Sequence, residues 1–394
     1  MKTLITALPL AFAYLREKPL ATMLNVLLLG LGVGTIIALA LVLSQLEQRM
    51  DQDAAGIDVV IGAKGSPLQL VLSTVFHIDI PTGNIAVAEA ANVIAEPVVK
   101  QAVPLALGDS YHTFRIVGTN PAYLELYGAT LQSGRMWNAP LEAVVGADVA
   151  RHIGLEPGKT FAGSHGLTET GGGHADHPYT VVGVMKPTGS VIDRLILTSV
   201  ESIRRVHEHG EEPGKEITAY LIQYSTPLAA ASFPRMVNAR SGLQAAAPAM
   251  ETARLFSLLG VGITALKGFA IIMMLCAALG IFVALMNALD ERRADLALLR
   301  VLGGSPATVF LTIIAQGAAL GLAGVILGTM IGHIGAEWMG SVLEKKHRMA
   351  LTGLTLIFEE LWVVAGAMSL AVLAGLFPAW RAYRTAVPEL LSRN

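Results

Sequence analysis

Four long apolar runs without charged residues divide the chain, and residues of a different pattern separate them. Each run holds about 20 or more residues, which is enough for a helix to cross the hydrocarbon core of a membrane. Within that core every backbone polar group has to be bonded inside its own segment, so a helix is the expected form. The pattern predicts four transmembrane helices, at residues 19–46, 263–290, 305–336 and 358–380.

Residues 47–262, between the first two runs, follow a different pattern. Apolar and polar residues alternate, as is typical of strands, at 112–120, 142–150, 179–185 and 217–225, with Gly and Pro turns between them. From about Ala249 the pattern becomes helical and continues without a strong break toward the second run. We therefore predict a polytopic α-helical membrane protein, one helix plus three, with a large α+β domain inserted after the first helix and ending in a stalk helix.

The first 18 residues allow two interpretations. Lys2 and the triplet Ala11-Phe12-Ala13 fit the basic region and the cleavage site of a signal peptide. The apolar stretch is short, however, and contains Pro9, and cleavage would invert every later helix against the distribution of basic residues. An uncleaved interfacial helix over residues 1–18 is the preferred interpretation, with a signal peptide as the alternative.

Composition agrees with a membrane protein, because 53% of the 394 residues are hydrophobic and only 15% are charged. The formal net charge of −2 gives no indication of a nucleic-acid surface. Cys276 is the single cysteine, which excludes disulfides within the chain.

The basic residues near the helix ends predict the orientation in the membrane. They favour a cytoplasmic location for both termini, for the segment 291–304 and for the tail 381–394. The short loop 337–357 argues against this, since it carries Lys345, Lys346 and Arg348, but it is outnumbered. The basic residues on the predicted cytoplasmic side are Lys2, Arg16, Lys18, Arg292, Arg293, Arg300, Arg381, Arg384 and Arg393.

The apolar runs contain no Asp, Glu, Lys or Arg, and Cys276 and His333 are their ionisable residues; the runs lie between Lys18 and Glu47, between Lys267 and Asp290, between Arg300 and Glu337, and between Glu360 and Arg381. A polar solute carried between such helices normally needs buried polar groups, which argues against a pathway through the bundle. His333 lies near the outer boundary, where we expect a hydrogen-bonded structural histidine. Glycines instead predict close helix packing, at Gly30, Gly34, Gly317, Gly321, Gly324, Gly328 and Gly335.

Two features of the inserted domain suggest binding sites. The segment 154–161 ends in Gly158-Lys159-Thr160, as a P-loop does, but Ile153 occupies the position of the required first glycine, so the motif fails. Pro157-Gly158 is explained as a turn. The other feature is a glycine-rich loop that carries His165, His174 and His177, followed by His207 and His209. These histidines suggest a zinc site, although their spacing fits no established motif and a solvated hairpin tip is the simpler interpretation.

Residues 290–310 form a short charged segment between two apolar runs. Leu296, Leu299 and Leu302 recur at helical spacing, and Gly303-Gly304 then break the pattern. Ser305 is a predicted N-cap, with Pro306 at the first helical position of the third transmembrane helix. The residues alone leave open whether the helix at 291–304 anchors the chain in the interface or contacts a partner.

Several segments, in the right order, resemble the membrane subunits of MacB/FtsX-type ABC transporters. They are residues 13–34, 117–137, 143–161, 179–197, 291–310 and 377–391. The resemblance covers essentially the whole chain and includes the arrangement of one plus three helices around a large periplasmic domain. Unlike members that carry a fused ATPase, this chain has no nucleotide site of its own.

The resemblance implies a dimeric permease that docks two copies of a separate ATPase subunit, which binds ATP and magnesium. The helix at 291–304 is then the coupling element, with Arg292, Arg293, Leu296, Leu299, Arg300 and Leu302 as the expected contacts. Motion would pass along the stalks to the periplasmic domain, which would export or extract a substrate with a periplasmic adaptor, lipoprotein or enzyme partner. Alternatives are a signalling scaffold that activates a periplasmic enzyme, a zinc-linked transport role and, with least support, a membrane enzyme.

Overall fold

The computed structural model describes residues 2–166, 176–207, 216–291, 305–347 and 351–384. The chain divides into two units. The helical unit comprises Met1–Leu46 and Leu259–Asn394, and the α+β unit comprises Glu47–Leu258. Two helices contribute residues to both units, because the chain enters the α+β unit along one of them and leaves it along the other.

The helices in the described residues are α1 (Lys2–Glu17), α2 (Pro19–Asp53), α3 (Pro67–Thr74), α4 (Val87–Ile94), α5 (Ala122–Leu126), α6 (Ala147–Ile153), α7 (Val200–His207), α8 (Ala229–Arg240), α9 (Pro248–Glu291), α10 (Pro306–His347) and α11 (Phe358–Arg384), with a 3₁₀ turn at Val191–Arg194. Within this described part, four helices are long and apolar enough to cross a membrane: α2, α9, α10 up to Glu344, and α11.

The strands are β1 (Val59–Ala63), β2 (Ile85–Ala86), β3 (Val99–Tyr111), β4 (Phe114–Thr119), β5 (Leu131–Gly134), β6 (Glu142–Val145), β7 (Thr160–Phe161), β8 (Ser164–His165), β9 (Tyr179–Met185), β10 (Leu195–Ser199), β11 (Glu216–Ile217), β12 (Ala219–Tyr224) and β13 (Leu243–Ala246). The main sheet runs in the order β13-β1-β12-β3-β4-β10-β6-β9-β5. Strand β7 pairs with β9, β8 pairs with β3, and β11 and β2 form a separate two-stranded sheet.

The 13-residue strand β3 joins two halves of the main sheet. Its first part pairs with β12 and its second part with β4, both antiparallel. One hydrophobic core lies around β1, β12, α4 and α8, and a second lies around β4, β6, β9, β10, α6 and α7. Parallel pairing occurs between β4 and β10 and between β6 and β9, so the unit is a mixed α+β domain.

The local predictions for this unit are largely confirmed. The alternating segment 179–185 is β9, and the segment 112–120 contains β4. The prediction at 142–150 is wrong in its second half, since β6 ends at Val145 and α6 begins after Gly146, with Asp148 favouring the helix in its first turn. The segment 217–225 is interrupted at Thr218, whose hydroxyl accepts a hydrogen bond from the Leu107 amide.

Two predicted helix boundaries can also be compared with the structure. The helical pattern predicted from about Ala249 to the second apolar run is confirmed, because α9 runs from Pro248 to Glu291 without interruption. The prediction of a loop over 337–357 is wrong in its first half, since α10 continues to His347. The residues after Glu337 include Met, Leu, Glu and Lys, which are good helix formers, so the helix does not end where the apolar run ends.

Candidate coupling and packing sites

The predicted coupling residues Arg292, Arg293, Leu296, Leu299, Arg300 and Leu302 lie outside the described residues. The helices on either side of them are described. Helix α9 ends at Glu291, and α10 begins at Pro306 after Ser305, whose side-chain oxygen accepts a hydrogen bond from the Thr308 amide at 3.3 Å. The predicted N-cap is therefore confirmed.

Ion pairs surround the point at which α9 ends. Lys18, immediately before α2, lies 2.5 Å from the Glu291 carboxylate, and Arg381 of α11 lies 3.9 Å from Asp290. All four side chains are about half exposed, so each pair contributes at most about 1 kcal/mol. The two pairs instead fix positions, because they hold the start of α2 and part of α11 beside the end of α9.

The glycines predicted to pack helices divide between two partners of α10. A methyl group added at Gly328 would lie 2.6 Å from Val33 Cβ, and one added at Gly324 would lie 2.7 Å from Leu29, so both glycines face α2. A methyl group at Gly321 would lie 2.6 Å from Ala371 Cβ of α11. Helix α10 therefore packs closely on two helices at once.

The other predicted glycines also lie where α10 contacts α2 or α11, with one exception. Gly317 faces the Ala371 carbonyl of α11, and Gly30 and Gly34 of α2 face α10. Gly335 contributes little, since an added methyl group would reach Ala38 only at 3.8 Å. Gly332, which the sequence analysis missed, takes its place against Ile37 at 2.7 Å.

The sequence analysis also did not identify two buried amide side chains in the helical unit. Asn25 of α2 and Gln316 of α10 are 6% and 5% exposed, and both line a small cavity together with Tyr14 and Thr22. The space at this cavity, about 40 Å³, suits water molecules bonded to the amides rather than a large solute. In the sequence both residues stand as single amides within apolar runs. They carry no charge, so the criterion of charged residues does not identify them.

A network of hydrogen bonds holds residues 352–353 at the end of the helical unit that contains His333. Gln45 of α2 donates to the Thr352 carbonyl at 2.7 Å and accepts from the Thr352 amide at 2.9 Å. His333 bonds the Gly353 carbonyl, and its Nε2 lies 3.1 Å from the Glu360 carboxylate. The prediction of a hydrogen-bonded structural histidine is confirmed.

Asp53, the last residue of α2, is fixed within the α+β unit. Its carboxylate accepts a hydrogen bond from the Val191 amide at 2.6 Å and lies 3.0 Å from the Arg194 guanidinium, and the side chain is only 3% exposed. Burial raises the pKa of Asp53 to about 6, although the Arg194 charge and the Val191 amide act in the opposite direction. The end of the first transmembrane helix is thus bonded to the 3₁₀ turn between β9 and β10.

Buried polar side chains extend this attachment. The Tyr127 hydroxyl donates to the Asp53 carbonyl at 3.0 Å, and the Tyr127 ring lies edge-on to Tyr123, whose hydroxyl is 3.1 Å from His77 Nε2. Burial raises the pKa of both tyrosines. Burial also lowers the pKa of His77, with the Arg115 charge as the next contribution. The group is therefore neutral at pH 7 apart from the Asp53–Arg194 pair.

Only some of the histidines suggested as zinc ligands lie in the part of the chain that the structure describes. His165 belongs to β8, His177 precedes β9, and His174 and His209 lie outside the described residues. Among the residues that are described, no group of three metal-type ligands converges. The P-loop-like segment is a turn at Pro157-Gly158, and Lys159 donates to the Gly154 carbonyl at 2.6 Å.

Two protein families match this chain. Residues 22–239, more than half of the chain, match the family of the MacB-like periplasmic core domain, and residues 267–387 match the FtsX-like permease C-terminal family. The lipoprotein-releasing system transmembrane protein LolC of Xylella fastidiosa, from strains Temecula1 and 9a5c, is 31% identical over 119 residues. That match spans 26% of this chain and only 28% of the length of LolC.

Two solved structures show a weaker likeness. The periplasmic region of MacB from Actinobacillus actinomycetemcomitans has a TM-score of 0.35 and 13% identity, and the match covers 51% of this chain and 95% of that one. The extracellular domain of the noncanonic ABC-type transporter YknZ from Gram-positive bacteria has a TM-score of 0.31 and 14% identity, with 48% and 98% covered. On the family matches and the four apolar helices, the chain belongs to the MacB/FtsX-type ABC transporter permeases, which are multi-pass proteins of the inner membrane.

Proposed function

We propose that this permease couples ATP hydrolysis by a separate ATPase subunit to movements of its α+β unit, and that those movements export or extract a substrate from the inner membrane or periplasm. Both termini and the segment 291–304 then lie in the cytoplasm, and the α+β unit lies in the periplasm. Two copies of the chain and two ATPase subunits form the working complex, with a periplasmic adaptor, lipoprotein or enzyme as a further partner.

The observation that carries the proposal is the continuity of α2 and α9. They contain 35 and 44 residues. At 1.5 Å per residue these helices are about 50 and 65 Å long, which exceeds the roughly 30 Å hydrocarbon core. Each helix leaves the helical unit and continues into the α+β unit, so neither helix needs a loop to pass a displacement from one unit to the other.

Side-chain contacts hold both ends of α2 and one end of α9. Lys18 and Glu291 join the start of α2 to the end of α9 beside the coupling segment. At its other end α2 is fixed by Asp53, which bonds Val191 and Arg194. A displacement at the coupling segment would therefore act on both helices and reach the 3₁₀ turn through Asp53.

The helical unit also bears on the class of substrate. The long apolar runs without charged residues and the small polar cavity favour a substrate that is handled outside the bundle, in the periplasm or at the membrane surface. LolC belongs by name to a lipoprotein-releasing system. Extraction of a lipid-anchored protein is accordingly one form of the proposed function, and pull-down from native membranes would identify the substrate together with the ATPase.

Gly262 of α9 offers a test with a matched control. An added Cβ at Gly262 meets no atom within 4 Å, so alanine fits without strain. Proline at the same position removes a helical hydrogen bond and kinks the helix at a cost of about 3 kcal/mol. We expect Gly262→Pro to retain ATPase binding but to lose transmission, whereas Gly262→Ala should behave like the wild type.

The readout is an ATP-dependent change in distance between two copies of the α+β unit. Spin labels at Glu156→Cys, an exposed position, would report it in the full complex, with Cys276 replaced by serine. A Gly262→Pro protein that shows the wild-type change would refute transmission through α9. Failure of the wild type to co-purify with any ATPase would refute the proposal as a whole.

The coupling segment is tested separately. Arg300→Glu and Leu299→Asp should weaken ATPase binding or uncouple hydrolysis, because each introduces a negative charge at an expected contact. Arg254→Glu, at an exposed position near the start of α9, is the control and should leave ATPase binding unchanged. Equal binding and stimulation in all three variants would exclude the coupling role of residues 291–304.

A further inference from the structure

The chain that enters α11 presents large apolar side chains on its surface. Leu354 and Leu356 are 89% and 82% exposed, and Phe358, the first residue of α11, is 71% exposed. Single exposed apolar residues are common in proteins, but three within one short segment mark a surface that another apolar body covers. We refer to residues 354–358 as the apolar segment.

The backbone in front of the apolar segment is bonded to side chains of the helical unit. Gln45 of α2 bonds both the amide and the carbonyl of Thr352, at 2.9 and 2.7 Å. Gly353 donates its amide to the Glu337 carboxylate at 2.7 Å, and its carbonyl bonds the His333 ring. Irregular backbone at the depth of a membrane is tolerated only where the protein itself satisfies such polar groups.

Two amides of the apolar segment are satisfied in the same way. The Leu354 amide donates to the Thr352 hydroxyl at 3.1 Å, and the Ile357 amide donates to the Glu360 carboxylate at 3.1 Å. Glu360 is only 8% exposed, so its carboxylate lies inside the helical unit. The polar backbone is therefore bonded inward while the leucine side chains face outward, the arrangement that apolar surroundings require.

The chain in front of the apolar segment runs back along α10. An added Cβ at Gly340 would overlap the Leu351 carbonyl oxygen, and one at Gly353 would overlap the His333 carbonyl oxygen, so the two backbones are in close contact at both points. Helix α10 itself continues from His333 to His347, roughly 20 Å further. The apolar segment thus begins at the level of His333 and not at the end of α10.

Helix lengths place this level at a membrane boundary. The start of α10 and the end of α11 lie together, since the Phe310 and Tyr383 rings are 6.4 Å apart. From there α10 rises about 40 Å to His333, and α11 is about 40 Å long, while a bilayer with its headgroup regions is about 40–45 Å thick. The carboxylates of Glu337 and Glu359 are exposed at this level, which suits the headgroup region.

The apolar surface continues from the apolar segment onto α11. The Phe358 ring lies edge-on to Trp362, which is 69% exposed, with the ring centroids 6.5 Å apart. Tryptophan is enriched where a membrane protein meets the headgroups. Further exposed apolar side chains follow along the same helix, at Leu361, Leu373, Leu376, Phe377 and Trp380.

We propose that the apolar segment inserts into the bilayer beside α11, with Leu354, Leu356 and Phe358 among the lipid chains just below the headgroups. Phospholipid is the partner that fits, because the same surface continues onto a transmembrane helix and lies at the depth of the interface. The assignment to the outer leaflet rests on the orientation given in the proposed function. The insertion itself does not depend on that orientation.

The experiment measures how often a spin label collides with oxygen, which concentrates in hydrocarbon, and with a polar nickel chelate, which stays in water. The full-length protein with Cys276→Ser is reconstituted in vesicles of phosphatidylcholine and phosphatidylglycerol. Single labels are placed at Leu354→Cys, Leu356→Cys and Phe358→Cys. All three side chains are mostly exposed, so these changes remove few contacts within the protein.

Two matched positions define the scale. Leu322→Cys is the hydrocarbon reference, because this exposed residue lies about 24 Å along α10, near the middle of the bilayer. Glu156→Cys, in the α+β unit, is the reference for water. The ratio of oxygen to nickel collisions in the apolar segment should be severalfold above that at Glu156→Cys and below that at Leu322→Cys.

Two results would overturn the proposal. A collision ratio at Leu354→Cys and Leu356→Cys equal to that at Glu156→Cys would place the segment in water. Labels shielded from both reagents would show that a second copy of the chain covers it instead of lipid. The two leucine positions are read independently, so one variant that fails to fold leaves the other as a test, and the absence of ATPase from the vesicles separates this result from the transmission proposal.

Discussion

Replacing Gly328 by alanine would push α2 and α10 apart. The added methyl group would lie 2.6 Å from Val33 Cβ, 2.7 Å from Val33 Cγ1 and 2.8 Å from the Gly30 carbonyl oxygen. Ordinary contacts of this kind are about 1 Å longer. Because one of the three atoms belongs to the backbone of α2, a change of side-chain rotamer cannot relieve the clash, and the helices have to separate.

Overpacking of this kind costs about 1–3 kcal/mol. The matched control is Gly366→Ala in α11, where an added methyl group meets no atom within 4 Å. There the change is neutral or stabilises the helix by roughly 0.5–1 kcal/mol, because alanine is the better helix former. Thermal unfolding of the detergent-solubilised protein should therefore show Gly328→Ala about 2–10 °C below the wild type and Gly366→Ala at or above it. Equal midpoints for the two variants would refute close packing at Gly328.

Two further predictions concern single side chains. Asp53 has a pKa of about 6 in the folded protein and 3.8 ordinarily, so its contribution to stability is present below pH 4 and lost as the pH rises to 6, by up to about 3 kcal/mol. Asp53→Asn should remove this part of the pH dependence, measured by hydrogen exchange in the α+β unit, and an identical pH profile in wild type and variant would contradict the raised pKa. His333→Ala leaves Glu360 without its bond to the ring and should lower stability by about 1–3 kcal/mol. Ser341→Ala, which loses a local bond within the exposed end of α10, is the control, and an equal effect of both changes would exclude a role for the His333 network.

Features set by local composition were predictable from the sequence. Hydrocarbon and water select residues by polarity along each segment, so the four apolar runs and the strand at Tyr179–Met185 were found directly. The start of α10 at Pro306 was predictable because Ser305 and Pro306 have strong positional preferences at a helix N-terminus.

Features that depend on contacts between residues far apart in the sequence were not predictable from it. Asp53 and Asp109 look like ordinary polar residues in the sequence, and their burial follows only from the approach of Arg194 and His207, each roughly a hundred or more positions away. The glycines that pack the helices were predicted only in part. Gly324, Gly328 and Gly332 recur every four residues and follow one ridge of the helix, whereas Gly335 fits a seven-residue repeat that this crossing does not use.

The α+β unit begins and ends at neighbouring places in its sheet. Strand β1, the first, pairs antiparallel with β13, the last, with Val60 opposite Ala246 and Ala63 opposite Leu243. A domain whose two chain ends lie side by side can be inserted, exchanged or removed without changing the spacing of the segments that flank it. Exchange of the whole insert therefore leaves the transmembrane helices and the spacing of their ends unchanged, so one set of membrane helices is compatible with different inserted domains.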